Sequence, residues 1–126
     1  MTSPNIILVG HCGFDSGSLK SLAQSAVPGC TVTRVNAMAD LESTDADLLL
    51  VNRVLDGRFP TGSGVELIRD LAGKADTPPM MLVSNYEDAQ ADAESAGALP
   101  GFGKSDVANP ATAERIAAAV NKHAAG

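Results

Sequence analysis

Apolar residues follow two rhythms along this chain. In three places they run together: Asn5-Ile6-Ile7-Leu8-Val9, Asp47-Leu48-Leu49-Leu50-Val51-Asn52 and Met80-Met81-Leu82-Val83-Ser84. Short apolar runs that end in a loop predict strands buried on both faces, as in the middle of a parallel sheet. Cys30-Thr31-Val32-Thr33-Arg34-Val35 instead alternates and is rich in β-branched residues, which predicts a strand exposed on one side near a sheet edge. Ala98 to Gly103, with Pro100 and two glycines, is a poorer strand.

Between these segments the apolar positions recur at helical spacing. Leu19, Leu22, Ala23 and Ala26 mark a first helix, with Asp15 or Ser16 as its cap and Pro28-Gly29 as its stop. Ala37 to Ser43 forms a short helix through Met38 and Leu41. Gly64 to Gly73 follows a turn-rich loop (Arg53 to Ser63) and places Val65, Ile68, Leu71 and Ala72 on one face. Ala89, Ala93 and Ala96 mark a weakly apolar helix that ends at Gly97. Pro110 opens the last helix, with Ala113, Ile116, Ala117 and Val120 as its buried stripe and Ala124 to Gly126 as a frayed end.

Strict alternation of strand and helix, five times over, implies parallel strands joined by right-handed crossovers. The expected architecture is α/β: a flavodoxin-like (βα)5 three-layer sandwich with strand order 2-1-3-4-5. Residues 1–126 make one domain, without repeats or an internal linker.

Composition narrows the partners. Hydrophobic residues are 44% and charged residues 19%, so the chain is globular rather than disordered. Aromatics are 3%, so the core is aliphatic. The net charge is −6 and the nine Lys and Arg are scattered, which argues against a nucleic-acid surface. No apolar run approaches membrane-spanning length and the first residues lack a signal-peptide pattern, so no membrane contact and a cytoplasmic location are expected. Cys12 and Cys30 fall at opposite ends of neighbouring parallel strands, too far apart for a disulfide.

In such folds the residues just past each strand converge on the C-terminal edge of the sheet. Here those are Gly10, His11 and Cys12; Asn52 and Arg53; Ser84 and Asn85; Gly103 and Lys104. His11 and Cys12 are adjacent but lack a second pair at metal-ligand spacing, so no metal site and no cofactor are implied. A helix N-terminus after Cys12 could activate its thiol, although His11 alone makes a thin catalytic partner. Gly10 to Gly17 is glycine-rich between a strand and a helix, yet matches no phosphate-loop pattern.

Four features together carry a family resemblance: Asn5 to Val9 as first strand, Asp47 to Asn52 as third, Met80 to Ser84 as fourth, and Gly97-Ala98 followed by Lys104. The chain resembles the receiver domain of bacterial response regulators over nearly its whole length. The resemblance implies a phospho-accepting Asp after the third strand, a pair of Mg²⁺-binding acids after the first, a hydroxyl after the fourth, a Lys after the fifth, and a switch aromatic three residues before that Lys. Ser84 and Lys104 match, although Ser105 replaces the usual proline after the lysine. Asn52 stands at the acceptor position, Gly10 and His11 at the acid pair, and Gly101 at the aromatic. The loop after the third strand is about four residues longer than the family's usual one.

An amide cannot form an acyl phosphate, and Mg²⁺ requires hard anionic oxygens that Gly10 and His11 lack. The expectation is therefore a degenerate pseudo-receiver and not an enzyme, with Asn52 as a neutral hub that hydrogen-bonds Lys104 or Ser84 and holds Lys104 in place. It would act in two-component or phosphorelay signalling through protein partners. These are a histidine kinase, an output domain or another signalling protein, either external or part of a larger protein. The face of the fourth and fifth helices is a candidate for such docking or for a homodimer. The rival expectation is redox or small-molecule sensing through Cys12, His11 and Lys104. A third is a working receiver phosphorylated on a displaced acid, Asp15 or Asp56. For those two, a helix cap and a turn before Gly57 are the more economical roles.

Overall fold

The computed structural model describes residues 4–11, 13–74 and 77–125, and the backbone alone for residues 14, 15 and 123–125. The chain alternates as expected: β1 (Asn5–Val9), α1 (Gly13–Ala26), β2 (Thr31–Val35), α2 (Met38–Glu42), β3 (Leu48–Asn52), α3 (Gly64–Ala72), β4 (Met80–Val83), α4 (Glu87–Ala96), β5 (Leu99–Phe102) and α5 (Pro110–Ala125). A short 3₁₀ turn, Lys104–Asp106, precedes α5. The five strands are parallel and ordered β2-β1-β3-β4-β5. This is the expected flavodoxin-like arrangement.

Some boundaries differ from the pattern reading, for local reasons. Helix α1 begins at Gly13, so Asp15 and Ser16 lie inside its first turn rather than at the cap. Helix α5 continues to Ala125, past the expected frayed end. The strands lose their polar flanks Cys30, Asp47 and Ser84. The Asp47 carboxylate instead accepts the backbone N–H of Asn5 at 2.8 Å, tying the starts of β1 and β3 together.

The two faces of the sheet carry separate cores. Ile6, Leu8, Leu48, Leu50, Met81 and Val83 point toward α1 and α5, where Leu19, Leu22, Ile116 and Val120 meet them. Ile7, Val9, Leu49, Val51, Met80 and Leu82 point the other way and pack with Leu41, Leu67, Ile68 and Leu71. The continuous apolar runs are thus explained: alternate residues feed opposite layers, and both layers are buried.

The helices are not held equally. Helix α3 buries Leu67, Ile68 and Leu71 and is capped by Ser63 Oγ, which accepts the Glu66 N–H. Helix α4 buries only Ala93 fully. Ala89 and Ala96 pack partly against the same core, and at about 0.8 kcal/mol for a fully buried methyl these three alanines hold α4 only weakly.

Cys30 is a buried, free thiol at the threshold of β2. Burial pushes its pKa above the ordinary thiol value, against a smaller opposing pull from a backbone hydrogen bond. Its contribution to stability is therefore intact below the unfolded thiol pKa and is lost as pH rises from there through the folded value. Cys30 should react with a disulfide reagent far more slowly at pH 8 in the native protein than in urea. Equal rates would contradict this burial. Leu50→Ala, at a fully buried position of the central strand, should cost about 2–5 kcal/mol in urea unfolding.

Candidate functional site

The C-terminal edge of the sheet divides into two halves. On the β3–β5 side, Asn52, Arg53, Val54, Ser84, Tyr86 and Lys104 line a cleft of ≈ 320 Å³. On the β1–β2 side, the loop after β3 folds down as a roof. The expected convergence is therefore split, with Asn52, Ser84 and Lys104 in the cleft and Gly10 and His11 beneath the roof.

The roof is fixed by backbone pairing. Ala37 and Arg58 form a parallel bridge, and Val54 and Ser63 an antiparallel one. The Asn36 side chain donates to the Asp56 carbonyl at 2.7 Å and to the His11 carbonyl at 3.1 Å. Arg34 Nε reaches the same His11 carbonyl at 3.1 Å. Leu55 is buried directly over Gly10. Gly10 has φ +71, and a Cβ there would lie 2.6 Å from Leu55 Cδ2. Only glycine suits that combination of backbone and space.

Asn52 joins the two halves. Its Nδ2 donates to the Gly10 carbonyl at 3.1 Å and to the Val54 carbonyl at 2.7 Å. Both partners are acceptors, which fixes the orientation of the amide. The Gly10 carbonyl also receives the Asp56 N–H at 2.9 Å. Asn52 is thus a hub, but its donor end holds the β1 loop and its own loop, two partners that the pattern reading did not foresee.

His11 is fully buried. Its Nε2 donates to the Leu50 carbonyl at 2.8 Å, so the proton is on Nε2 in the neutral ring. The imidazole accordingly points under the sheet edge rather than into the cleft. Asp56 is exposed in the turn before Gly57. Cys12 lies outside the described residues, and Asp15 is described only as backbone of α1.

Ser84 is buried, and its Oγ accepts the Tyr86 N–H at 3.1 Å. Asn85 Oδ1 accepts both the N–H and the hydroxyl of Ser105, at 3.1 and 3.0 Å. A proline at position 105 would lack that N–H. Arg53 lies over the Tyr86 ring, 4.6 Å from its centroid, a contact worth about 0.5–1 kcal/mol at an exposed site. Val54 and Tyr86 are the large exposed hydrophobics among the described residues, and both border this cleft. Asn36 and Tyr86 carry no sequence signal for these roles, and Leu55 is one of three apolar residues, with Val54 and Phe59, in the loop after β3.

Among the described residues, the groups at the positions of the acid pair offer a divalent cation little. Gly10 offers one carbonyl already engaged twice, and His11 offers nitrogen turned toward Leu50. Mg²⁺ prefers anionic oxygens in octahedral array. Among the described residues no group of three or more His, Cys, Asp or Glu could hold a metal ion.

No protein-family model and no curated protein matches the chain. Solved structures share its fold. The receiver domain protein (CheY-like) from Methanospirillum hungatei superposes with a TM-score of 0.72 at 18% identity, covering 98% of each chain. The non-phosphorylated receiver domain of the stress response regulator RcsB from Escherichia coli gives 0.73 at 14% identity, covering 96% of this chain and 95% of that one. The receiver domain of a signal transduction histidine kinase from Syntrophus aciditrophicus gives 0.69 at 21% identity, with 95% and 94% covered. The architecture is that of CheY-like receiver domains.

Gly10→Ala should destabilise the fold by about 1–3 kcal/mol, through backbone strain and overlap with Leu55. Leu55→Ala in the same chain should relieve the overlap but not the strain. The double variant should therefore lose less than the sum of the two singles, by at least about 0.5 kcal/mol in urea unfolding.

Proposed function

We propose that the chain is a receiver-like signal-transduction module of the two-component or phosphorelay type. It acts by protein–protein interaction, in the cytoplasm, and is not phosphorylated in the ordinary way. The observation that carries this reading is the state of Asn52. The residue at the acceptor position is an amide whose nitrogen is committed to the Gly10 and Val54 carbonyls. Beside it, Leu55 packs over Gly10 where the resemblance implies an acid.

The physics favours a fixed edge. An acyl phosphate needs a carboxylate nucleophile, and the metal that would neutralise the phosphoryl group needs carboxylate ligands. The cleft keeps Ser84 and Lys104 but neither of those two parts. A metal beside Gly10 would also have to displace a roof held by backbone bonds from Asp56 and Arg58.

A module of this kind signals by its surface. Its partners are a histidine kinase, an output domain or another signalling protein, with a second copy of the chain as a further option. Tyr86 and Arg53 give the cleft a rim of two residue types that dominate binding energy at interfaces, beside the exposed Val54.

Incubation with acetyl phosphate and Mg²⁺, followed by intact mass measurement, should show no added phosphoryl group. A phosphoryl adduct on Asp15 or Asp56 would overturn the proposal in favour of a working receiver. Asn52→Asp should not restore the reaction. It should cost about 1–2 kcal/mol in urea unfolding, because a carboxylate would then face the Gly10 and Val54 carbonyls without a hydrogen to give.

A further inference from the structure

β4 and β5 do not pair evenly. Met81 lies opposite Leu99, and Val83 opposite Phe102. One residue of β4, Leu82, therefore faces two of β5, Pro100 and Gly101, across a bulge. Pro100 has no N–H to give the ladder.

Side chains from two helices reach the carbonyls around this gap. From α4, Gln90 Nε2 lies 2.9 Å from the Leu82 carbonyl, 3.1 Å from that of Ser84 and 3.2 Å from that of Phe102. Its two hydrogens serve three acceptors on both strands. From α5, Arg115 Nη1 donates to the Gly101 carbonyl at 2.6 Å. The bulge leaves room for this arrangement only because residue 101 is glycine. A Cβ there would lie 2.7 Å from Gln90 Oε1 and collide with the Leu82 carbonyl.

Helix α4 needs such a tie. Its only fully buried side chain is Ala93, while Glu87, Asp88, Asp92 and Glu94 face solvent. All four acids are exposed, and Asp88 and Asp92, one turn apart, repel one another. The half-buried Gln90 amide is the polar group that α4 sends into the sheet.

We propose that Gln90 and Arg115 act as substitute rungs at the β5 bulge and hold α4, β5 and α5 as one rigid face, with Gln90 keeping α4 seated. The joint works whatever the Asn52 edge does, so it does not depend on the reading of that edge.

Amide hydrogen exchange on the full chain tests the joint. Gln90→Met keeps the length and bulk of the side chain but gives no hydrogen. It should raise exchange of the amides in Glu87–Ala96 and Leu99–Phe102 at least tenfold, leaving β1 and β3 unchanged. Gln90→Glu at neutral pH should raise it further, because a carboxylate would face three carbonyls. Arg115→Met should loosen β5 and the start of α5 while leaving α4 protected. Unchanged α4 protection in Gln90→Met would overturn the proposal, and so would an equal rise in β1 and β3. Should the Gln90 variants not fold, the wild-type protein and Arg115→Met decide. Wild-type α4 exchanging as freely as an exposed loop, or α4 released in Arg115→Met, would refute the assignment.

Discussion

The Gly10 carbonyl is the constraint on which the C-terminal edge depends. A parallel strand ends there with its backbone still seeking donors, and two arrive: the Asn52 amide from the end of β3 and the Asp56 N–H from the loop that follows. Once they are in place, Leu55 is carried over Gly10 and the loop becomes a lid on the β1–β2 half of the edge. Neutral donors satisfy a neutral acceptor without any counter-charge. A carboxylate at residue 52 would repel that carbonyl, and a cation beneath Leu55 would be cut off from water. The chemistry that this edge lacks and the packing that it has are therefore one arrangement seen from two sides.

The layout of the fold was legible because it rests on burial. Leu48 to Val51 and Ile6 to Val9 are apolar without interruption, since each face of the sheet is covered by helices. Their rhythm put β1, β3 and β4 inside the sheet and β2 near an edge, while the full order rested on the likeness to a flavodoxin-like fold. The ends of elements were less legible. Gly13 starts α1 ahead of Asp15 and Ser16, the residues with better capping chemistry. A helix start is set by where the preceding strand releases the chain, and composition alone does not record that.

The convergence of the strand ends was legible only in part. Asn52, Ser84 and Lys104 meet in one cleft, as expected from three strand ends. Gly10 and His11 are parted from them by the roof, and the imidazole is turned toward Leu50. That separation arises from long-range bonds, the Arg58 N–H to the Asn36 carbonyl and the Asn36 side-chain amide to the Asp56 carbonyl, neither of which has a sequence pattern. Gln90 was invisible for a related reason. A glutamine on a polar helix carries no signal until the bulge it faces is known.

The bulge has one more consequence, for assembly. β5 is an outer strand of the sheet, and an outer strand normally offers a row of backbone groups to any extended chain that comes alongside. Here that row is four residues long, interrupted by Pro100 and kinked at Gly101, with the Gly101 carbonyl already taken by Arg115. Strand addition, whether by a ligand peptide or in an aggregate, is thereby discouraged along this side of the molecule. Partners that approach it must meet helix surfaces and side chains rather than open backbone.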